Sequence, residues 1–64
     1  MLTEERRQKI LHLLDRHKIV KSQDLVNLLN ASESTIRRDL QDLENDGLLE
    51  RIHGGAKKGQ LLGF

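Results

Sequence analysis

The chain has 64 residues, enough for one small domain, and 11 Lys+Arg against 10 Asp+Glu leave a formal net charge of +1. It has no cysteine, which excludes a disulfide framework and a thiolate metal site; its one aromatic, Phe64, excludes a stacking platform for single-stranded bases. No apolar run reaches the length of a membrane span and no signal-peptide pattern is present, so a bacterial cytoplasm or a nucleus is the expected location.

Thr3 stands as an N-cap, and Glu4 and Glu5 follow where carboxylates complement the helix dipole. Ile10, Leu13, Leu14 and His17 then recur at helical spacing, which predicts a first helix over about residues 4–17. "KIVK" (18–21) is too short for a helix and carries two β-branched residues, so it suits one short strand. Ser22 reads as the cap of a second helix from Gln23 to about Leu29, with Leu25, Leu28 and Leu29 on one face. Asn30 tolerates the left-handed conformation that a tight interhelical corner needs. Ser32 caps a third helix running to about Asp46, and Gly47 stops it.

Past Gly47 the pattern changes to a period of about 2. Leu49, Arg51 and His53 alternate with Leu48, Glu50 and Ile52, and Gly54-Gly55 is a two-residue hairpin signal. The expected fold is mainly α with a small β-hairpin, a winged helix-turn-helix of three helices plus a wing. Its expected core is Ile10, Leu13, Leu14, Leu25, Leu28, Leu29, Ile36, Leu40, Leu43, Leu49 and Ile52. Residues 1–58 form the domain in this reading, and 59–64 a truncated linker.

The third helix carries its charge unevenly. Arg37 and Arg38 lie near its start, and every charged residue behind them up to Gly47 is acidic: Asp39, Asp42, Glu44 and Asp46. On a wheel advancing about 100° per residue, Ile36, Leu40 and Leu43 share one face. Ser34, Arg38, Gln41 and Asn45 lie nearly opposite, flanked by Thr35 and Arg37, with no carboxylate at the centre of the stripe. That composition suits a recognition helix. Arginine can bridge the two acceptors of guanine, glutamine can pair with adenine, and hydroxyls suit phosphates. The acids are tolerable where the helix leaves the duplex. Arg37 and Arg38 can equally be ordinary solvated charges, with Glu33 or Asp42 as partners. Asp39 lies at the core edge, where an ion pair with Arg6 or Arg7 is expected.

The segment "RIHGGAKK" (51–58) holds Arg51, His53, Lys57 and Lys58 with no acid, a basic footprint for a sugar-phosphate backbone. His53 is as readily a polar turn residue, and the two lysines can merely solvate a tail. His12 and His17 are about 140° apart on their helix and His53 lies on another element, so no metal site is expected. Neither a nucleophile elbow nor a phosphate loop accompanies the Ser, His and Asp residues, so the chain is not expected to be an enzyme. The competing reading is a winged-helix module that binds protein and not DNA. Such a module would show an exposed apolar stripe on its third helix.

Two quoted pieces, "RxxxILHLL" from Arg6 and "LVNLLNASESTIRRDLQDLENDGLLERIHGGA" (25–56), together resemble the DeoR-type family of bacterial transcriptional regulators. The combination of "TIRRDL" with "HGGA" at this separation carries the resemblance, and "NASESTIRRDL" looks most like the fructose-operon repressors. The resemblance implies sequence-specific binding to double-stranded operator DNA. It implies repression of sugar metabolism, with fructose as the particular sugar, in the bacterial cytoplasm and on the nucleoid when bound. By position, Thr35, Arg37 and Arg38 would contact DNA, and residues 53–56 would be the wing. A phosphorylated sugar would be sensed, and homo-oligomers formed, by a C-terminal effector domain that this chain does not contain. The fragment itself would be a monomer without cofactor or metal. Val26 and Asn30 depart from the small alanine and the glycine common in helix-turn-helix corners.

Overall fold

The structure is a computed structural model and describes residues 2–59. Its elements are α1 (Thr3–His17), β1 (Ile19–Lys21), α2 (Ser22–Leu29), α3 (Glu33–Asn45), β2 (Leu49–Ile52) and β3 (Gly55–Lys58). Three helices and a small sheet make a winged helix-turn-helix, mainly helical. The linker expected over 59–64 lies, from residue 60 onward, outside the described residues.

The helix ends show which local signals act. Ser32 Oγ accepts the Thr35 N–H at 3.2 Å, as expected of an N-cap. At the other end of α3, Gly47 takes φ 79°, its N–H reaches Glu44 O at 2.9 Å, and Leu48 N–H reaches Leu43 O at 3.0 Å. That paired closure needs a left-handed residue, which glycine supplies without a Cβ penalty. Asn30 adopts φ 52°, ψ 48° and turns the chain from α2 into α3. The other two expected caps are corrected. Leu2 and not Thr3 precedes α1, where the Glu5 carboxylate accepts the Leu2 N–H at 3.2 Å. Lys21 and not Ser22 precedes α2, without a side-chain cap; the Ser22 N–H is instead taken up by Gly54 O at 2.9 Å. Gly54 O thus satisfies one of the orphan donors at the start of α2.

The "KIVK" strand forms, and it joins the hairpin. All pairing is antiparallel in the order β1-β3-β2, with Val20 opposite Ala56, and Ala56 opposite Arg51. Because Ile52 pairs with Gly55, the two-residue turn is His53-Gly54, one residue earlier than the Gly54-Gly55 expectation. Gly55 serves a different need. A Cβ there would sit 2.1 Å from Val20 O, so glycine is what lets β1 approach β3.

The core gathers Ile10, Leu14, Val20, Leu25, Leu29, Ile36, Leu40, Leu43, Leu49 and Ala56, with Leu11, Leu13, Val26 and Ala31 half-buried against it. Leu28, expected inside, is 65 % exposed, and Ile52 is only half-buried. α2 has only eight residues and presents a narrow buried stripe of Leu25 and Leu29, an i, i+4 pair that leaves Leu28 on the flank.

Candidate nucleic-acid interface

α3 is fixed against α1 by charge as well as by apolar contact. Asp39 is 1 % exposed and receives both Arg6 Nε, in a short contact, and Arg6 Nη2 at 3.1 Å. Arg7 Nε lies 3.4 Å from Asp39 Oδ1, and Arg7 Nη2 pairs with Asp42. The expected ion pair of Asp39 is therefore present, with both candidate arginines. The Arg6 guanidinium is raised above its usual pKa, first by its hydrogen bond to Asp39 and then by that carboxylate's charge. Burial lowers that of Arg7, but its bonds to Asp39 and Asp42 outweigh the effect and leave it raised. No buried side-chain polar atom among the described residues lacks a partner.

This clamp accounts for the acids behind the arginines. Asp39 and Asp42 are drawn toward α1, and Glu44 accepts the Arg51 N–H of strand β2 at 2.8 Å. Asp46 closes the helix at its far end. What faces solvent at the centre of α3 is Ser34, Arg38, Gln41 and Asn45, all exposed, as the wheel requires.

Each expected site residue has a definite setting. Ser32 Oγ donates to Thr35 Oγ1 at 2.8 Å, which leaves the Thr35 hydroxyl its own proton to donate outward. Ser34 Oγ lies 3.2 Å from Ser32 Oγ. Arg37 pairs with Glu33 one turn back at 3.1 Å, both side chains 66 % exposed. Among the described residues Arg38 has no carboxylate partner, and it is exposed. Arg51 Nη1 donates to Gln41 Oε1 at 2.8 Å, joining the wing to α3. His53 is exposed in the wing turn. Lys57 faces its cross-strand neighbour Glu50 at 3.8 Å. Lys58 lies at the end of β3 away from the turn, its Nζ 2.7 Å from Asp15 of α1. The site thus falls into two parts. Ser34, Thr35, Arg37, Arg38, Gln41, Arg51 and His53 gather around α3 and the wing, whereas Lys58 is held at the back of the wing.

Two polar clefts of about 500 Å³ each flank α3. One is lined by Thr3, Arg6, Arg7, Ser34, Thr35, Arg38 and Asp39; the other by Ser22, Glu33, Arg37, Arg51, Ile52, His53, Gly54 and Gly55. Thr3 in the first cleft, and Glu44, which holds the Arg51 N–H beside the second, were not read from the sequence as site residues. They come from elements whose mutual placement is set by tertiary packing, and no spacing rule links them. A larger groove of about 720 Å³ lies elsewhere, between α1 and α2, and is lined on its apolar side by Leu11, Leu13, Leu28 and Leu29. No cluster of three His, Asp or Glu side chains suited to a metal ion occurs among the described residues, and no described helix is long and apolar enough to cross a membrane.

A short corner, an exposed polar third helix and a hairpin packed beside it define a winged helix-turn-helix of the DNA-binding, transcription-regulating class. The DeoR-like helix-turn-helix domain model matches residues 6–59, and the chain belongs to that family. It is 60 % identical over 58 residues to the uncharacterized HTH-type transcriptional regulator FruR of Bacillus subtilis (strain 168), covering 91 % of this chain and 23 % of that protein. It is 50 % identical over 54 residues to a putative galactitol utilization operon repressor of Escherichia coli (strain K12), covering 84 % and 48 %. Identity to a lactose phosphotransferase system repressor of Staphylococcus aureus (strain NCTC 8325 / PS 47) is 43 % over 53 residues, covering 83 % and 21 %. The chain therefore spans from about a fifth to about half of these relatives' lengths. No solved structure matches it.

Proposed function

We propose that this domain binds double-stranded operator DNA sequence-specifically, with α3 in the major groove and the wing on the backbone or in the minor groove. The observation that carries the reading is the exposed stripe of Ser34, Arg38, Gln41 and Asn45. It is free of carboxylates at its centre and bordered by two polar clefts spaced to either side. Arg38 and Arg37 reach base edges, assisted by Gln41, while Ser34 and Thr35 hydroxyls, His53 and Lys57 serve phosphates; Lys58 would have to leave Asp15, and Arg51 to leave Gln41, to join them. Arg37 must exchange Glu33 for DNA, and an exposed pair of this kind contributes only about 0–1 kcal/mol.

Within a longer regulator, the domain would direct repression of a sugar-utilisation operon in the bacterial cytoplasm. Relatives named for galactitol and lactose systems support the sugar class, and fructose is the particular sugar we favour. The remainder of such a protein would sense a phosphorylated sugar and hold the oligomer. A salt titration of binding to the intergenic DNA beside the gene tests the domain's part. If four or five phosphates are neutralised, the log–log slope should be about −3.6 to −4.5. A protein-binding module would give no saturable operator binding at any salt concentration.

A further inference from the structure

Arg51 was expected to meet the DNA backbone, but its side chain is turned toward the recognition helix. Its Nη1 donates to Gln41 Oε1 at 2.8 Å. Gln41 Nε2 donates in turn to Asn45 Oδ1 at 3.0 Å and, more weakly, to Glu44 Oε1 at 3.5 Å. The second oxygen of Glu44 accepts the Arg51 backbone N–H at 2.8 Å, which closes a ring between wing and helix. The ring determines the orientation of an amide whose two ends are otherwise alike in shape. Turned over, Gln41 would aim its NH₂ at a guanidinium and its carbonyl at a carboxylate. Both partners thus select the same arrangement.

We infer that Arg51 is a positioning residue for sequence recognition, holding the Gln41 amide so that its carbonyl oxygen is what the domain offers to a base. This rests on the DNA-binding reading above. The better N–H of Gln41 is committed to Asn45, whereas Oε1 keeps a second lone pair after accepting from Arg51. In the major groove, adenine and cytosine present amino donors, whereas guanine and thymine present oxygen acceptors at the equivalent place. A fixed acceptor therefore selects an amino-bearing base at the position facing Gln41. The wing acts in this step as a brace for the reading helix.

Selection from a randomised duplex library with the 64-residue chain and its Arg51→Ala, Gln41→Ala and doubly substituted variants tests the assignment. Thermal melts first check that each variant folds, which is expected because Gln41 is exposed and Arg51→Ala keeps the backbone bond to Glu44. The wild-type chain should favour adenine or cytosine at one position by about tenfold. Arg51→Ala should flatten that preference to within about twofold, Gln41→Ala should flatten the same position, and the double variant should add nothing there. Arg51→Ala weakening every sequence alike, with the preference intact, would make Arg51 a backbone contact only and overturn the inference. So would no change at all. A wild-type chain that enriches no sequence would overturn the DNA-reading function itself, a result distinct from either of these.

Discussion

Arg37 and Arg38 are neighbours in sequence but not in circumstance. Arg37 is paired one turn back with Glu33, while Arg38 stands exposed at the centre of the stripe beside the Thr3–Thr35 cleft. Arg38→Ala should therefore weaken operator binding by about 1–3 kcal/mol and relax sequence preference, whereas Lys57→Ala should weaken all duplexes alike. Binding isotherms on operator and random DNA check this, and equal losses on both for Arg38→Ala would contradict its role. The Asp15–Lys58 pair gives a pH signature at the same scale. The bond from Lys58 and then its charge hold the Asp15 carboxyl below its usual 3.8, while the bond to Asp15 and its charge raise Lys58 above 10.5. A lowered carboxyl contributes stability above its unfolded pKa and loses it as pH falls through the folded value. A raised ammonium contributes below its unfolded pKa and loses it as pH rises through the folded value. The pair thus supports the fold between about pH 3.8 and 10.5 and fades outside that window. Carboxyl-carbon NMR titration should place the Asp15 midpoint below 3.8 in the wild type and return it toward that value in Lys58→Met. An unmoved midpoint would show that the pair does not form in solution.

Among the elements, α3 was the most legible in the sequence, because its boundaries rest on local chemistry. Ser32 and Gly47 act on backbone groups within a few residues of themselves. Ser22 misled by one position: it is the first residue of α2, and its N–H is bonded to Gly54, a partner that only the folded sheet provides. Leu28 misled because a helical period shows which residues share a side, not how much of that side the neighbours cover. The wing turn slipped by one residue since two adjacent glycines suit both registers. Contact with Val20 decides between them, placing Gly55 in the strand. The Asp39 pairing was legible because a carboxylate at the edge of an apolar face needs a cation, and Arg6 and Arg7 were the nearest supply. Asp39→Asn keeps the shape and removes the charge that two arginines share, so it should cost about 1.5–3 kcal/mol in denaturant-induced unfolding. An unchanged midpoint would mean that apolar contact alone sets the angle between α1 and α3.

At the scale of the molecule, the chain separates its two chemistries. Apolar side chains of six elements converge on one core, while the face of α3 turned from that core carries hydroxyls, amides and an exposed guanidinium. The arginines of α1 draw two carboxylates of α3 aside, which would let a helix carrying three acids after its arginines face a polyanion. On the proposed function a single copy would grip one half-site, so the domain alone should bind more weakly than a regulator whose further parts hold two copies together. Backbone and side-chain chemical-shift mapping with an operator duplex, repeated at high salt, tests the central claim most directly. The signals of Ser34, Thr35, Arg38 and Gln41 should move first and return as salt rises. Silence at those positions, or movement confined to the Leu11–Leu28 groove, would contradict it.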